Sequence, residues 1–296
     1  MGAAAACRTV GEALADATAR LAAAGVPEPR ADAEVLFAHV LGTDRAGLVV
    51  AARRPMADAA AALVEPLLRR RIAREPVFHL VGEREFWSLP FAVDRRVLIP
   101  RPETEVLVET VCALAPGARR VLDVGTGSGA IAAALARELP EASIWASDLQ
   151  GDALAVARGN LDRHAPRVGL IRGHLLAPFR ATAFDLVVSN PPYCATGEMG
   201  GLEPEVRDWE PRSALVASDG GLGALLALVG GAPVVLRPGG WLMMEMGAGQ
   251  RAAVEAAACA DGRYARTEVR RDPAGIERVL AAQVVVVGRG GPWTAS

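Results

Sequence analysis

The chain has 296 residues, a length that accommodates one large α/β domain and one small domain, each with its own core. Its net charge of −2 and its low aromatic content argue against a broad surface for nucleic-acid phosphates, because such surfaces are built from clustered cations. The four cysteines and four histidines lack the spacing of a zinc site or a disulfide framework, so no bound metal is expected.

The N-terminal part of the chain reads as helical. Residues 1–7 lack the basic segment of a signal peptide, and no apolar run is long enough to span a bilayer, so we expect a soluble, cytoplasmic protein with no membrane partner. The following residues are rich in alanine and leucine at helical spacing, for example Leu14 and Leu21. Breaks at 25–27 and 42–44 separate short helices. We therefore predict a helical bundle domain over residues 1–75.

The pattern changes after this bundle. Two strand-like pieces around a turn predict a hairpin linker over residues 76–102. Beyond it, apolar strand-like runs alternate with helical segments, which predicts βαβ units and a mostly parallel sheet in an α/β domain over residues 103–296. These runs are 120–124, 130–138, 143–147, 153–162, 168–172, 184–189, 222–236, 240–246 and 252–259. The valine-rich run 276–287 is expected to close the sheet at or near an edge.

A glycine-rich turn follows the strand-like run 120–124 and precedes a helix. Its residues are Gly125, Thr126, Gly127, Ser128 and Gly129. Glycines let the backbone bend and approach a ligand, and the helix start offers N–H groups to an anion. The GxGxG spacing differs from the GxGxxG of dinucleotide sites and lacks the GK[ST] ending of a P-loop, which disfavours NAD and ATP.

An acidic residue, Asp148, ends the next strand-like run. A carboxylate there can accept hydrogen bonds from both hydroxyls of a ribose. S-adenosylmethionine (SAM) carries a ribose and an amino-acid carboxylate, so we expect the glycine-rich turn and Asp148 to bind SAM. The alternative is an ordinary tight turn, with Asp148 serving only as a helix cap.

Asn190, Pro191, Pro192 and Tyr193 follow the buried strand-like run 184–189, at the sheet edge where open α/β sheets bind ligands. Hydrogen bonds to the Asn190 side-chain oxygen and the Pro191 carbonyl would hold a planar, weakly nucleophilic nitrogen for methyl transfer. Tyr193 could pack on the planar group and favour its developing positive charge. We expect Asn190, Pro191 and Tyr193 to be catalytic and all four residues to bind substrate; a rigid turn with a buried tyrosine is the alternative.

Further motifs give the chain a resemblance, over nearly its whole length, to the HemK/PrmC family of release-factor glutamine methyltransferases. The IPRPETE and EPRSAL stretches are more specific than the glycine-rich turn and the Asn-Pro-Pro-Tyr motif, which many methyltransferases share. The matching segments are Pro76–Gly82, Leu98–Glu105, Glu203–Ala217, Pro238–Gly240 and Gly275–Val279.

The resemblance implies methylation of N5 of the glutamine in the Gly-Gly-Gln loop of peptide chain release factors. It implies a seven-stranded, SAM-dependent class I methyltransferase fold whose N-terminal helical domain helps to recognise the protein substrate. Position by position, Gly125–Gly129, Asp148 and Asn190 would contact SAM, and Asn190–Tyr193 would hold the glutamine amide. No direct nucleic-acid contact is expected, and the chain is expected to be a monomer. Arg101 and Glu103 would either shape the site or only hold the linker.

One position departs from the family pattern. After the third strand the family usually has an acidic residue followed by an aromatic one near the adenine, whereas this chain has His174 and Leu175. Leu175 can offer the adenine ring an apolar wall, so we include it among the expected SAM contacts. His174 does not replace the carboxylate that would accept from the adenine amino group.

Three other functions compete with this interpretation. A ribosomal-protein glutamine methyltransferase would use the same chemistry with another partner, and the N-terminal part and linker favour the release-factor pattern. An adenine-N6 nucleic-acid methyltransferase would need base flipping and a cationic track, which the sequence does not show. A SAM-binding scaffold without activity would not need the complete motif at Asn190–Tyr193.

Overall fold

The computed structural model describes residues 8–286, and within them the chain forms two units. The first unit comprises the residues up to Glu83 and the segment Glu203–Trp209. The second comprises Arg84–Leu202 and the residues from Glu210 onward. No helix among residues 8–286 combines the length and the hydropathy that a membrane crossing requires.

The first unit is the predicted helical bundle. Its helices are α1 (Val10–Ala23), α2 (Pro29–Leu41), α3 (Arg45–Ala51), α4 (Asp58–Ile72), α5 (Val77–Val81) and, later in the chain, α9 (Pro204–Arg207). Thr9 and Glu12 form a capping box that starts α1, and Gly42, with φ of 61°, ends α2 in the left-handed conformation that glycine adopts without strain. The predicted breaks therefore coincide with real helix ends. Apolar side chains that include Leu21 and Phe37 form its core.

A cluster of ion pairs holds the segment Glu203–Trp209 in this unit. Arg71 is only 4% exposed, and its guanidinium donates to Asp32 and to Glu205, both at 2.6 Å. Arg74 donates to Glu205 at 2.6 Å and to Glu203 at 3.1 Å. Charges out of water are stable only when paired, so these contacts attach the segment to the helices. The sequence-based division had assigned these seven residues to the sheet domain.

The second unit opens with a hairpin and then forms one seven-stranded sheet. The hairpin strands are β1 (Glu83–Phe86) and β2 (Leu89–Ala92). The sheet strands are β3 (Arg120–Val124), β4 (Ser143–Asp148), β5 (Gly169–Arg172), β6 (Phe184–Ser189), β7 (Leu236–Glu245), β8 (Tyr264–Arg271) and β9 (Glu277–Val284). Their order is β5-β4-β3-β6-β7-β9-β8, with β9 antiparallel to both of its neighbours and the other pairs parallel. The predicted seven-stranded, mostly parallel sheet is thus confirmed.

Helices cover both faces of this sheet. They are α6 (Glu105–Leu114), α7 (Ala130–Glu138), α8 (Gly151–His164), α10 (Arg212–Leu215), α11 (Gly223–Val235) and α12 (Arg251–Asp261), with 3-10 turns at Pro102–Thr104, Thr196–Gly201 and Asp219–Gly221. Val121 packs in the core layer that contains α6, α7 and α8, and its neighbour Leu122 packs in the layer that contains α11 and α12. Successive strand residues therefore face opposite layers, as a sheet buried on both faces requires.

The parallel strands end together, which creates the site. Val124 at the end of β3 pairs with Ser147 of β4 and with Ser189 of β6. Ser189 pairs in turn with Met244 of β7, one residue before Glu245. The residues that follow these strands therefore meet at one edge of the sheet.

Two elements, β8 and α5, were not predicted from the sequence. Strand β8 lies at the sheet edge, and each of its residues is exposed or half-buried. Because it buries so little, its sequence is rich in charged residues and lacks the apolar pattern by which a strand is predicted. The valine-rich run is β9, second from that edge, which agrees with its expected place at or near an edge; its last predicted residue, Val287, lies outside the described residues. Within the predicted linker, the hairpin is present, but Val77–Val81 form α5.

Candidate active site

A cleft of about 400 Å³ lies at the C-terminal ends of β3, β4 and β6 in the second unit. This volume is in the range of pockets that hold small ligands. The predicted site residues that line it are Gly125, Thr126, Gly127, Ser128, Asp148, Leu175, Asn190 and Pro192. Gly129, Pro191 and Tyr193 do not line it. The structure therefore brings the glycine-rich turn, the acidic residue and Asn190 together.

The glycine-rich turn is held by β4. The N–H groups of Gly125 and Thr126 both donate to the Ser147 carbonyl, at 2.8 and 2.9 Å. Gly125, Gly127 and Gly129 have φ values of 72°, 54° and 83°, a region that strains other residues. The first turn of α7 follows directly, and N–H groups at a helix start have no acceptor within the helix, so they suit an anionic group.

Asp148 is held by hydrogen bonds within its own loop and also lines the cleft. Its Oδ1 accepts from the N–H of Gln150 at 2.9 Å, and its Oδ2 accepts from the N–H of Gly127 at 3.0 Å. These bonds fix the carboxylate against the glycine-rich turn. Each oxygen can accept a second hydrogen bond, and Asp148 lines the cleft, so ribose hydroxyls could bind to the same carboxylate.

Asp123 is a fully buried carboxyl beneath this turn. Its Oδ2 accepts from the Thr126 hydroxyl at 2.6 Å, and its Oδ1 has no hydrogen-bond partner. Burial and, to a smaller extent, the negative charge of Asp148 raise the pKa of Asp123 to about 7, although the Thr126 hydrogen bond lowers it. Asp123 therefore binds a proton more readily in the folded protein than in the unfolded chain.

This difference predicts a pH-dependent stability. Between the ordinary pKa of 3.8 and about 7, the unfolded chain loses the Asp123 proton while the folded protein keeps it, so rising pH destabilises the fold. From pH 5 to pH 8 the wild type should lose about 2 to 3 kcal/mol that an Asp123→Asn variant keeps. Urea denaturation at several pH values measures this difference. Parallel pH profiles for the two proteins would show that Asp123 does not hold a proton.

Asn190 takes part in a chain of hydrogen bonds that the sequence analysis did not anticipate. Its Nδ2 donates to the Thr104 hydroxyl at 3.1 Å, and that hydroxyl donates to Glu245 Oε2 at 2.6 Å. The Tyr193 hydroxyl donates to Glu245 Oε1 at 3.1 Å, so the tyrosine points at this carboxylate. The available signals were a threonine inside the IPRPETE stretch and an acidic residue within the apolar end of β7.

Burial shifts the pKa values of two groups in this series of hydrogen bonds, Glu245 and Tyr193. Burial raises the pKa of Glu245, while the hydrogen bonds from Thr104 and Tyr193 and the charge of Arg278 lower it. Burial and the neighbouring Glu245 also raise the pKa of Tyr193, which keeps the phenol protonated as a donor.

The two charged residues of the linker differ in position. Arg101 lines the cleft and donates to both oxygens of Glu210, at 2.8 and 2.7 Å. Burial raises the pKa of Glu210, and the charge of Arg101 opposes that shift. Glu103 is exposed and does not line the cleft. Arg101 thus connects the linker to the EPRSAL stretch, whose Ser213 also lines the cleft.

His174 and Leu175 form another part of the cleft wall. Leu175 has a φ of 46°, an uncommon conformation for a leucine, and its side chain packs against the core layer that contains α11. This placement gives the cleft an apolar surface where the sequence predicted an adenine contact.

Comparisons with known proteins match both parts of the chain. Residues 12–82 match the family described as PrmC N-terminal domain, and residues 102–201 match the family described as methyltransferase small domain. A release factor glutamine methyltransferase of Geobacter sulfurreducens is 42% identical over 269 residues, covering 89% of this chain and 93% of that protein. One of Cereibacter sphaeroides is 45% identical over 275 residues, covering 92% and 98%.

Solved structures match the fold. A methyltransferase from Pyrococcus furiosus superimposes with a TM-score of 0.52 over 73% of this chain and 96% of that one. The two sequences are 18% identical, so this likeness concerns the arrangement of strands and helices alone. The sheet and helices of the second unit therefore form a methyltransferase fold.

Proposed function

The chain belongs to the release factor glutamine methyltransferase family, and from that premise we propose that it methylates N5 of the glutamine in the Gly-Gly-Gln motif of peptide chain release factors. The resemblance found in its motifs is confirmed by these relatives. Its methyl donor is SAM. The observation that carries the proposal is that Asn190 lines the same cleft as Asp148 and the glycine-rich turn.

The residues of the cleft fit SAM. The Asp148 carboxylate suits the ribose hydroxyls, and the start of α7 suits the carboxylate of the methionine part. Leu175 offers an apolar wall suited to a planar adenine. We therefore assign these residues, with Gly125–Ser128, to SAM binding.

In the proposed reaction, the protein orients an unreactive nitrogen. SAM supplies a methyl group on a positively charged sulfur. Asn190 Oδ1 and the Pro191 carbonyl accept from the two N–H groups of the glutamine amide and hold its nitrogen in line with that methyl group. These hydrogen bonds strengthen as positive charge develops on the nitrogen. The methylated amide then loses a proton readily, so no side chain has to act as a base.

We further propose that the first unit, with the segment Glu203–Trp209, contributes to recognition of the release factor, and that the chain acts as a monomer without contacting nucleic acid. Its match to the PrmC N-terminal domain family over residues 12–82 supports this role. The proposed reaction uses no cysteine or histidine side chain.

The direct test is to incubate the protein with methyl-labelled SAM and four acceptors in parallel. These are a release factor, the same release factor with alanine in place of the Gly-Gly-Gln glutamine, a mixture of ribosomal proteins, and duplex DNA. We expect label on the intact release factor alone. Label on DNA would indicate an adenine methyltransferase, and label on a ribosomal protein alone would indicate a ribosomal-protein glutamine methyltransferase. Equal label on both release factors would exclude the Gly-Gly-Gln glutamine as the methylated residue.

A further inference from the structure

Glu245 is a buried carboxylate to which neither SAM binding nor capture of the amide assigns a role. It ends β7 and is 2% exposed. A buried charge is costly unless hydrogen bonds replace the lost water. Both Glu245 oxygens have such a bond, one from the Thr104 hydroxyl and one from the Tyr193 hydroxyl. The carboxylate is thus directed at residues beside the proposed acceptor site.

The Thr104 hydroxyl has a single proton, so the group that accepts this proton determines which other hydrogen bonds the hydroxyl can form. The hydroxyl donates this proton to Glu245 Oε2, at a distance of 2.6 Å. The hydroxyl then offers only lone pairs to its other neighbours. The neighbour in place is Asn190, whose Nδ2 donates at 3.1 Å. Thr104 is therefore an acceptor for Asn190 because it is a donor to Glu245.

This arrangement selects one of the two orientations of the Asn190 amide. With the NH₂ end bound to Thr104, the oxygen end is left for the cleft that Asn190 lines. A rotation of the amide by half a turn would set Oδ1 against the lone pairs of Thr104 and turn the NH₂ end towards the cleft. An NH₂ group there would face the N–H groups of an incoming amide, donor against donor.

We propose that Glu245 and Thr104 are positioning residues for methyl transfer, which orient the Asn190 oxygen towards a substrate nitrogen that carries protons. The proposal rests on the proposed function for its substrate, but the orientation itself belongs to the protein alone. It defines the acceptor class as a nitrogen with N–H groups to donate. Glu245 acts through Thr104 and does not touch the substrate.

The orientation can be observed without substrate, because the chain contains only two asparagines, Asn160 and Asn190. Labelling with ¹⁵N-asparagine therefore yields two side-chain NH₂ groups in NMR spectra. Asn160 is an internal reference, since its Nδ2 donates to the carbonyls of Ala92 and Ser128. In Thr104→Val, the Asn190 NH₂ protons should exchange with water about tenfold faster, as expected for loss of one hydrogen bond, while those of Asn160 stay unchanged.

Kinetics then separate positioning from general loss of structure. Thr104→Val should lower kcat for release-factor methylation by about 10- to 100-fold, with little change in SAM affinity. Thr104→Ser keeps the hydroxyl and should restore most of kcat. Thr110→Val is the matched control, because it removes another buried hydroxyl of the same unit, one that donates to the Val106 carbonyl.

Glu245→Gln tests whether the carboxylate acts through Thr104. This change should lower kcat in the wild type and lower it by a smaller factor in the Thr104→Val background. An equal decrease in kcat in both backgrounds would overturn the proposed relay, in which Glu245 acts on Asn190 through Thr104. So would a Thr104→Val protein that methylates release factor with the wild-type kcat.

The outcomes also separate this proposal from the proposed function. If the wild type labels release factor but Thr104→Val turns over at the wild-type rate, the relay is wrong and the function stands. If the wild type does not label release factor, the function is wrong, and the exchange of the Asn190 NH₂ protons alone decides the relay. Faster exchange in Thr104→Val, reversed in Thr104→Ser, supports it; unchanged exchange refutes it.

Discussion

Replacing Asn190 with alanine should lower kcat for methyl transfer by roughly 100- to 1000-fold, the usual cost of removing a group that stabilises charge in a transition state. The effect is large because the amide nitrogen is a poor nucleophile and depends on its acceptors for alignment and activation. SAM binding should remain measurable, since Asp148 and the glycine-rich turn are unchanged. Turnover with labelled SAM and calorimetric titration of SAM measure the two effects separately.

The control for this variant is Gln283→Ala. Gln283 also has an amide side chain, which donates to the Gly239 carbonyl on β7, and it does not line the cleft. Its replacement should leave kcat within about twofold of the wild type. An Asn190→Ala protein with wild-type turnover would remove Asn190 from the proposed mechanism.

Replacing Asp148 with alanine should weaken SAM binding by about 10- to 100-fold, because hydrogen bonds to a charged acceptor contribute about 1.5 to 3 kcal/mol each. The same change frees the N–H groups of Gly127 and Gln150, which the carboxylate now fixes. Asp148→Asn keeps one acceptor oxygen for them and should show a smaller loss. Calorimetry with SAM gives the dissociation constants.

Asp152→Ala provides the comparison for Asp148→Ala. Asp152 is an exposed acidic residue in the first turn of α8 and does not line the cleft. Its removal changes the net charge equally, so it should leave the SAM dissociation constant nearly unchanged. Wild-type SAM affinity in Asp148→Ala would contradict the assignment of the ribose to this carboxylate.

Local sequence patterns predicted the cleft residues that lie at the end of a strand or directly after it. The buried run Phe184–Ser189 announces a strand, and Asn190 must follow it at the ligand-binding edge. Asp148 ends a second such strand. Parallel strands bring their ends together, so alternation of strands and helices was enough to place both residues in one cleft.

Contacts between distant segments were not accessible in this way. The bond from Thr104 to Glu245 joins residues 141 positions apart and depends on how the linker packs against β7. The edge strand β8 has no continuous apolar pattern because so little of it is buried. Likewise, the stretch Glu203–Ala217 does not indicate by itself that Glu205 forms an ion pair with Arg71.

The seven residues Glu203–Trp209 make the helical bundle discontinuous in the gene. The polypeptide passes from one unit to the other at three points, after Glu83, after Leu202 and after Trp209. A fragment that stops at Glu83 would lack Glu205, and of the two carboxylates that pair with the buried Arg71 only Asp32 would remain. Recombination that exchanged the N-terminal coding region would break the same ion pairs unless it also exchanged this short insert. The helical bundle thus depends for its buried ion pairs on a segment that lies between the Asn-Pro-Pro-Tyr and EPRSAL stretches.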